Sequence, residues 1–243
     1  MRDGLVVITG VGREGQVGEA VAAAFAAQGA TLALLDLDAA QVEARAATLR
    51  SSGASATGYA VDLTDFEATA ALGVRIAADH ATQRGVSALV CLAGGFALSG
   101  ALDQTDAGHV HQQLSINLMT AFSATRAFLP GLRVGRGGVV YMGSVAAMPG
   151  GDSAGVAAYS AAKAGVLALM RSVAQSEAAH GVRANAVAPS AIRTAANLAD
   201  MGDDGVRYVS REAVAETVLW LAGGGAAAEF VTGQTVMLGP LSS

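Results

Sequence analysis

Short apolar runs alternate along this chain with longer alanine-rich stretches, and the two kinds of segment carry different periods. Leu5-Val6-Val7-Ile8-Thr9 is unbroken by charge, the pattern of a strand covered on both faces. A glycine-rich turn follows, and a helix is predicted from about Gln16 to Gln28, ended by Gly29. The alternation continues with a strand over 31–36, a helix over 38–50 and a strand over 54–61. The next helix starts after Asp62-Leu63-Thr64, where Thr64 is placed to cap it. Strands are then predicted over 88–92, 138–143, 183–187 and 234–238, with helices over 112–132, 157–180 and 211–222 between them. About seven strands interleaved with helices predict an α/β fold, a parallel sheet with helices on both faces. No linker, charge run or internal repeat divides residues 1–243, which read as a single domain.

Composition narrows the function classes. A chain of 243 residues buries on the order of 70% or more of its unfolded surface, so the core needs no cross-links. One cysteine, Cys91, excludes an internal disulfide, and four scattered histidines (His80, His109, His111 and His180) suggest no metal site. A net charge of −5 argues against a nucleic-acid partner. No apolar run approaches the roughly 18 residues of a membrane span, and Met-Arg-Asp-Gly before the first strand is no secretory leader. The expectation is a soluble, cytoplasmic protein. Two biases stand out: 55 alanines imply closely approaching elements, and of fifteen basic residues only Lys163 is lysine.

The candidate chemistry begins in the first turn. Gly10, Gly12 and Gly15 satisfy G-x-G-x-x-G between a strand and a helix, where backbone amides and a helix N-terminus hold a pyrophosphate. Glycines also serve simply to turn the chain and let a helix pack. Asp36 ends the second strand 26 residues after Gly10, where a carboxylate bonds the adenosine ribose hydroxyls and repels a 2′-phosphate. Arg13 pulls the other way, as a guanidinium able to meet a phosphate. The balance favours NAD(H), with NADP(H) as the alternative. Tyr159-Ser160-Ala161-Ala162-Lys163 puts a phenol and the sole lysine on one helix face. A nearby cation favours tyrosinate, and lysine does this as a compact point charge. An exposed helix pair has the same spacing.

These motifs, in this order, resemble the short-chain dehydrogenase/reductase family over essentially the whole chain. The resemblance also takes in Asp62-Leu63, Asn117 in Ser115-Ile116-Asn117-Leu118, Ser144 after Gly143, Asn185-Ala186-Val187-Ala188-Pro189 through Thr194, and Val231-Thr232-Gly233-Gln234. It implies a Rossmann-type doubly wound sheet and an oxidoreductase that interconverts an alcohol and a ketone. Tyr159 would be the general acid/base, Lys163 would lower its pKa and contact the nicotinamide ribose, Ser144 would hold the substrate oxygen, and Asn117 would support Lys163 and a relay water. Asp62 and Leu63 would lie by the adenine, Val17, Ala93 and Gly94 along the dinucleotide, and Pro189, Ile192 and Thr194 on the nicotinamide side. It further implies a homotetramer, with the helices of Tyr159 and Asn117 at an interface, and a substrate lid at about 195–209.

Some positions depart from the family. The glycine turn is about two residues longer than usual, Cys91-Leu92-Ala93-Gly94 lacks the usual asparagines, and Ser190 replaces a glycine. The lid is short and polar, which suggests an open pocket or one completed by a neighbouring subunit. Cys91 reads as a small buried hydrophobe. A cofactor-binding sensor or scaffold without turnover is the competing reading, and a methyltransferase the remote one, since Tyr159 and Lys163 have no role there.

Overall fold

The computed structural model describes residues 4–223 and 225–239, so residues 1–3, on which the leader reading partly rests, lie outside the described residues. The chain forms β1 (Leu5–Thr9), α1 (Val17–Ala27), β2 (Thr31–Asp36), α2 (Ala39–Ser51), β3 (Ser55–Ala60), α3 (Phe66–Asp79) and β4 (Val86–Cys91). It continues through α4 (Ala107–Leu114), a π-helical turn (Ser115–Met119), α5 (Thr120–Gly135), β5 (Gly138–Met142), α6 (Ala157–Ser176) and β6 (Arg183–Pro189). Last come α7 (Ala195–Met201), α8 (Arg211–Leu221) and β7 (Thr235–Leu238). The strands form one seven-stranded sheet in the order β3-β2-β1-β4-β5-β6-β7, parallel throughout.

The apolar strand runs do what their lack of alternation requires: successive residues feed two cores. Leu5, Val7, Leu89, Cys91, Val139 and Tyr141 point to the face covered by α3, α5 and α6, where Ile76, Phe128, Leu132 and Met170 meet them. Val6, Ile8, Leu32, Leu34, Ala88 and Val90 point to the opposite face, against Val21 and Phe25 of α1, Val42 of α2 and Val218 of α8. Cys91 is buried, and burial pushes its thiol up to about 12, so it packs as a small hydrophobe.

Three sequence expectations need correction. The helix predicted over 112–132 is two helices joined by the π turn, and the first starts five residues earlier because Asp106 accepts the His109 amide at 3.0 Å. Asp65, not Thr64, caps α3; the Thr64 hydroxyl is turned aside to Asp62. The segment 195–209, expected as a short polar lid, is not merely polar chain, because α7 forms inside it. Its base is closed by Val209 N–H to Ala191 O and Arg193 N–H to Val209 O, each 2.8 Å.

Sheet order places the site. Chain connections run outward in both directions from β1, so the crevice between β1 and β4 opens where the strand order reverses. Ligands of open parallel sheets bind at such a point, outside the carboxyl ends of the strands.

Candidate active site

The floor of the crevice is tied together by Asn117 and by two groups, Thr9 and Gln113, that no motif announced. The Thr9 hydroxyl accepts the amides of Leu92 and Ala93, each at 3.1 Å, and so holds the end of β4 without the family's asparagines. Asn117 clasps Gly95, two residues beyond Ala93, by both its backbone groups: its Oδ1 accepts Gly95 N–H at 3.2 Å and its Nδ2 donates to Gly95 O at 2.9 Å. The fully buried Gln113 stands behind it, with Oε1 3.3 Å from the same Nδ2. The π turn widens the helix at the position of Asn117, a local geometry often found at functional sites.

The glycine turn leaves a cradle. Gly10 has φ +72°, and a Cβ there would lie 2.7 Å from Ala93 N. Gln16, at the N-cap of α1, makes no side-chain cap bond, so the first amides of the helix from Val17 onward receive none from it. Asp36 stands half-buried at the end of β2, its Oδ2 accepting Gly12 N–H at 2.7 Å. Arg13 is exposed. Glycine amides, a helix N-terminus without a side-chain cap and a carboxylate at the far end fit the pyrophosphate and adenosine ribose of a dinucleotide. A cavity of about 410 Å³ abuts this end of the crevice, lined by Gly15, Arg193, Ala195, Leu198, Ser210, Arg211 and Glu212.

The remaining predicted contacts divide. Asp62 is exposed, and its Oδ1 takes the Thr64 hydroxyl at 2.6 Å and amide at 2.9 Å, bonds that hold its carboxyl below the usual range. Leu63 is buried beneath it. Pro189 ends β6, Ile192 bridges to Val209, and the Thr194 hydroxyl accepts Asn197 N–H at 3.1 Å as the cap of α7. Gly94 packs against Asn117. The buried Asn185 joins β6 to the chain before β7, donating to Val231 O at 2.8 Å and accepting from Gln234 N–H at 3.1 Å.

Tyr159, Lys163 and Ser144 come together at the end of β5. Tyr159 sits in the first turn of α6, and Lys163 one turn on places Nζ 5.7 Å from the phenol ring centroid. Ser144 Oγ accepts the Ala146 amide at 3.3 Å and is close enough to the Tyr159 phenol to favour its ionised form. The loop-capping reading of Ser144 therefore holds. Lys163 is 4% exposed and donates to Met142 O at 3.0 Å; burial lowers its pKa to about 8. The expected lowering of the Tyr159 pKa is absent here. Burial raises it and Ser144 only partly offsets that, because the lysine donates to a backbone carbonyl rather than to the phenol. Sequence reading missed Phe96, whose ring meets Tyr159 edge-on at 5.1 Å and is 55% exposed.

A doubly wound sheet with a dinucleotide cradle at its switch point and a tyrosine–lysine–serine cluster beside it defines a nicotinamide-dependent oxidoreductase. The sequence matches the short chain dehydrogenase family over residues 5–203. It is 34% identical over 193 residues to 2-(S)-hydroxypropyl-CoM dehydrogenase 3 of Xanthobacter autotrophicus, across 79% of this chain and 72% of that one. It is 35% identical over 188 residues to galactitol 2-dehydrogenase (L-tagatose-forming) of Cereibacter sphaeroides, across 77% and 70%. The structure of a 3-oxoacyl-(acyl-carrier protein) reductase with bound NAD from Brucella melitensis superposes with a TM-score of 0.82 at 27% identity, over 97% of this chain and 89% of that one. The protein belongs to the short-chain dehydrogenase/reductase family and is an NAD(P)-dependent enzyme of it. No helix among the described residues is long and apolar enough to cross a membrane.

Proposed function

We propose that the protein interconverts an alcohol and a ketone with NAD(H) as the preferred cofactor. The observation that carries this reading is the convergence of Tyr159, Ser144 and Lys163 at the mouth of the dinucleotide crevice. The nicotinamide, when bound, supplies or accepts the hydride. The Tyr159 hydroxyl gives its proton to the carbonyl oxygen in reduction, and its tyrosinate takes one from the alcohol in oxidation. Ser144 Oγ holds the same substrate oxygen against the phenol. Lys163 places a cation near Tyr159 and contributes donors toward the nicotinamide ribose, while Asn117 fixes the Ala93–Gly94–Gly95 backbone beneath. Phe96 adds an apolar wall on the substrate side.

Asp36 supports NAD(H), because a 2′-phosphate beside it would meet a carboxylate. An NADH-oxidation screen over several ketone classes, with NADPH in parallel, tests both halves of the proposal. NADH should give the higher kcat/KM, and Asp36→Ala should move the ratio toward NADPH by about tenfold, the factor for about 1.4 kcal/mol. Equal use of NADPH by the unaltered enzyme would give the decision to Arg13. Absence of turnover with every ketone, despite tight NADH binding, would favour the sensor reading.

We further propose a homotetramer in the cytoplasm. Met119 and Phe122, 38% and 46% exposed on the π turn and α5, support an interface on that side. A monomeric mass by light scattering at micromolar concentration would remove the oligomer from the account.

A further inference from the structure

The lengthened glycine turn raises a physical question that the family resemblance leaves open. A longer loop has more conformations to lose, and the usual side-chain cap is missing at Gln16. Some other group has to hold the turn if the first amides of α1 are to meet a phosphate in a fixed arrangement.

Glu19 is built to do this. It is the third residue of α1, the position from which a capping-box carboxylate reaches back over the helix start. Here it reaches one residue past the cap, and Oε2 accepts Gly15 N–H at 2.8 Å. Two arginines from distant elements close on the same carboxylate. Arg45 of α2 donates from Nη1 to Oε1 at 2.8 Å, and Arg211, the first residue of α8, from Nη1 to Oε2 at 3.3 Å. Arg45 also reaches the turn itself, with Nε 3.4 Å from Val11 O. Burial pushes the Glu19 carboxyl up, but the Gly15 amide and both guanidiniums more than reverse this, so it is charged at neutral pH.

We propose that Glu19 is the positioning residue of the glycine turn, holding Gly15 so that the α1 amides face the dinucleotide pyrophosphate. The proposal rests on the reading of this crevice as a dinucleotide site. It explains why a carboxylate is tolerated one helical turn from a phosphate position, where Coulomb repulsion opposes it. Arg45 and Arg211 neutralise the charge, and the geometry it imposes outweighs what repulsion remains.

Position and charge predict opposite signs, which makes the proposal testable by binding alone. NADH affinity is read by fluorescence titration of the purified full chain, with ADP and adenosine as competitors. Loss of a charge-assisted hydrogen bond in Glu19→Ala should raise the Kd of NADH by about tenfold or more. ADP should weaken in parallel, because it carries the pyrophosphate, while the affinity of adenosine should be unchanged. Glu19→Gln should fall between, since its amide oxygen can still accept from Gly15. Glu14→Ala, which removes an exposed charge from the same turn, should not weaken binding.

If the carboxylate acts only as a charge, Glu19→Ala will bind NADH as tightly as the unaltered protein or more tightly, and the proposal is overturned. Equal losses for ADP and adenosine would also overturn it, since they mark general damage. Should Glu19→Ala not fold, Glu19→Gln and Arg45→Ala carry the same comparison. An unaltered protein that binds neither NADH nor NADPH overturns the crevice reading, and this proposal with it.

Discussion

Tyr159→Phe should lower turnover by about 10²–10⁴-fold, the usual contribution of a positioned acid or base, while leaving the fold and NADH affinity almost unchanged. The substitution removes one hydroxyl and keeps the ring that Phe96 meets edge-on. It also leaves Lys163 bound to Met142 O. The pH dependence gives a second reading of the same group. Burial raises the Tyr159 pKa, so at neutral pH the phenol carries the proton a carbonyl oxygen needs. Ketone reduction should therefore run at neutral pH, and alcohol oxidation should gain on it as pH rises and the phenol loses its proton. In Tyr159→Phe the rate that remains should lose this phenol's ionisation from the pH profile of each direction. Near-wild-type turnover would assign proton transfer to another group.

Gly18→Ala should be the most damaging single methyl in the cofactor turn. A Cβ at Gly18 would lie 2.3 Å from Gly10 O and 2.7 Å from Val11 Cα, both backbone atoms that no side-chain rotation can clear. α1 must therefore move away from β1, against the packing of Val21 and Phe25 with Val6 and Ile8. Overpacking of this kind costs about 1–3 kcal/mol. The same displacement carries the helix N-terminus out of line with the crevice, so NADH affinity should fall by more than tenfold. Calorimetry together with NADH titration checks both effects. A stable variant with normal affinity would show that the turn has slack the geometry does not reveal.

The fold was legible where burial dictates residue type. β1 and β2 lie within the sheet and are covered on both sides, so nearly every position had to be apolar. The π turn was not legible, because Ser115–Met119 keeps helical periodicity and one extra residue per turn leaves no mark on five positions. The start of α4 has a signal in the sequence, since Asp106 is a standard cap residue. At the site, Tyr159 and Lys163 could be paired because both stand on one helix. Thr9, Gln113 and Phe96 could not be found, since each takes its meaning from a partner brought near only by folding. Glu19 differs: Gly15 is four residues away, but the arginines that make its carboxylate tolerable come from α2 and α8. The lengthened turn was visible as an insertion, but not what fastens it.

The lone lysine gives the chain an unusual surface chemistry. With Lys163 enclosed and its ammonium bound to Met142 O, the folded protein presents no side-chain amine to solution. Acylating reagents that decorate most proteins at many positions would find here one side chain, and only when the end of β5 and α6 part. Burial lowers its pKa to about 8 in the closed site, and exposure returns it to the ordinary lysine range, where alkaline labelling conditions supply the reactive neutral amine. Slow labelling at this single nitrogen would therefore time the opening of the enzyme's own centre, with no background from the rest of its side chains.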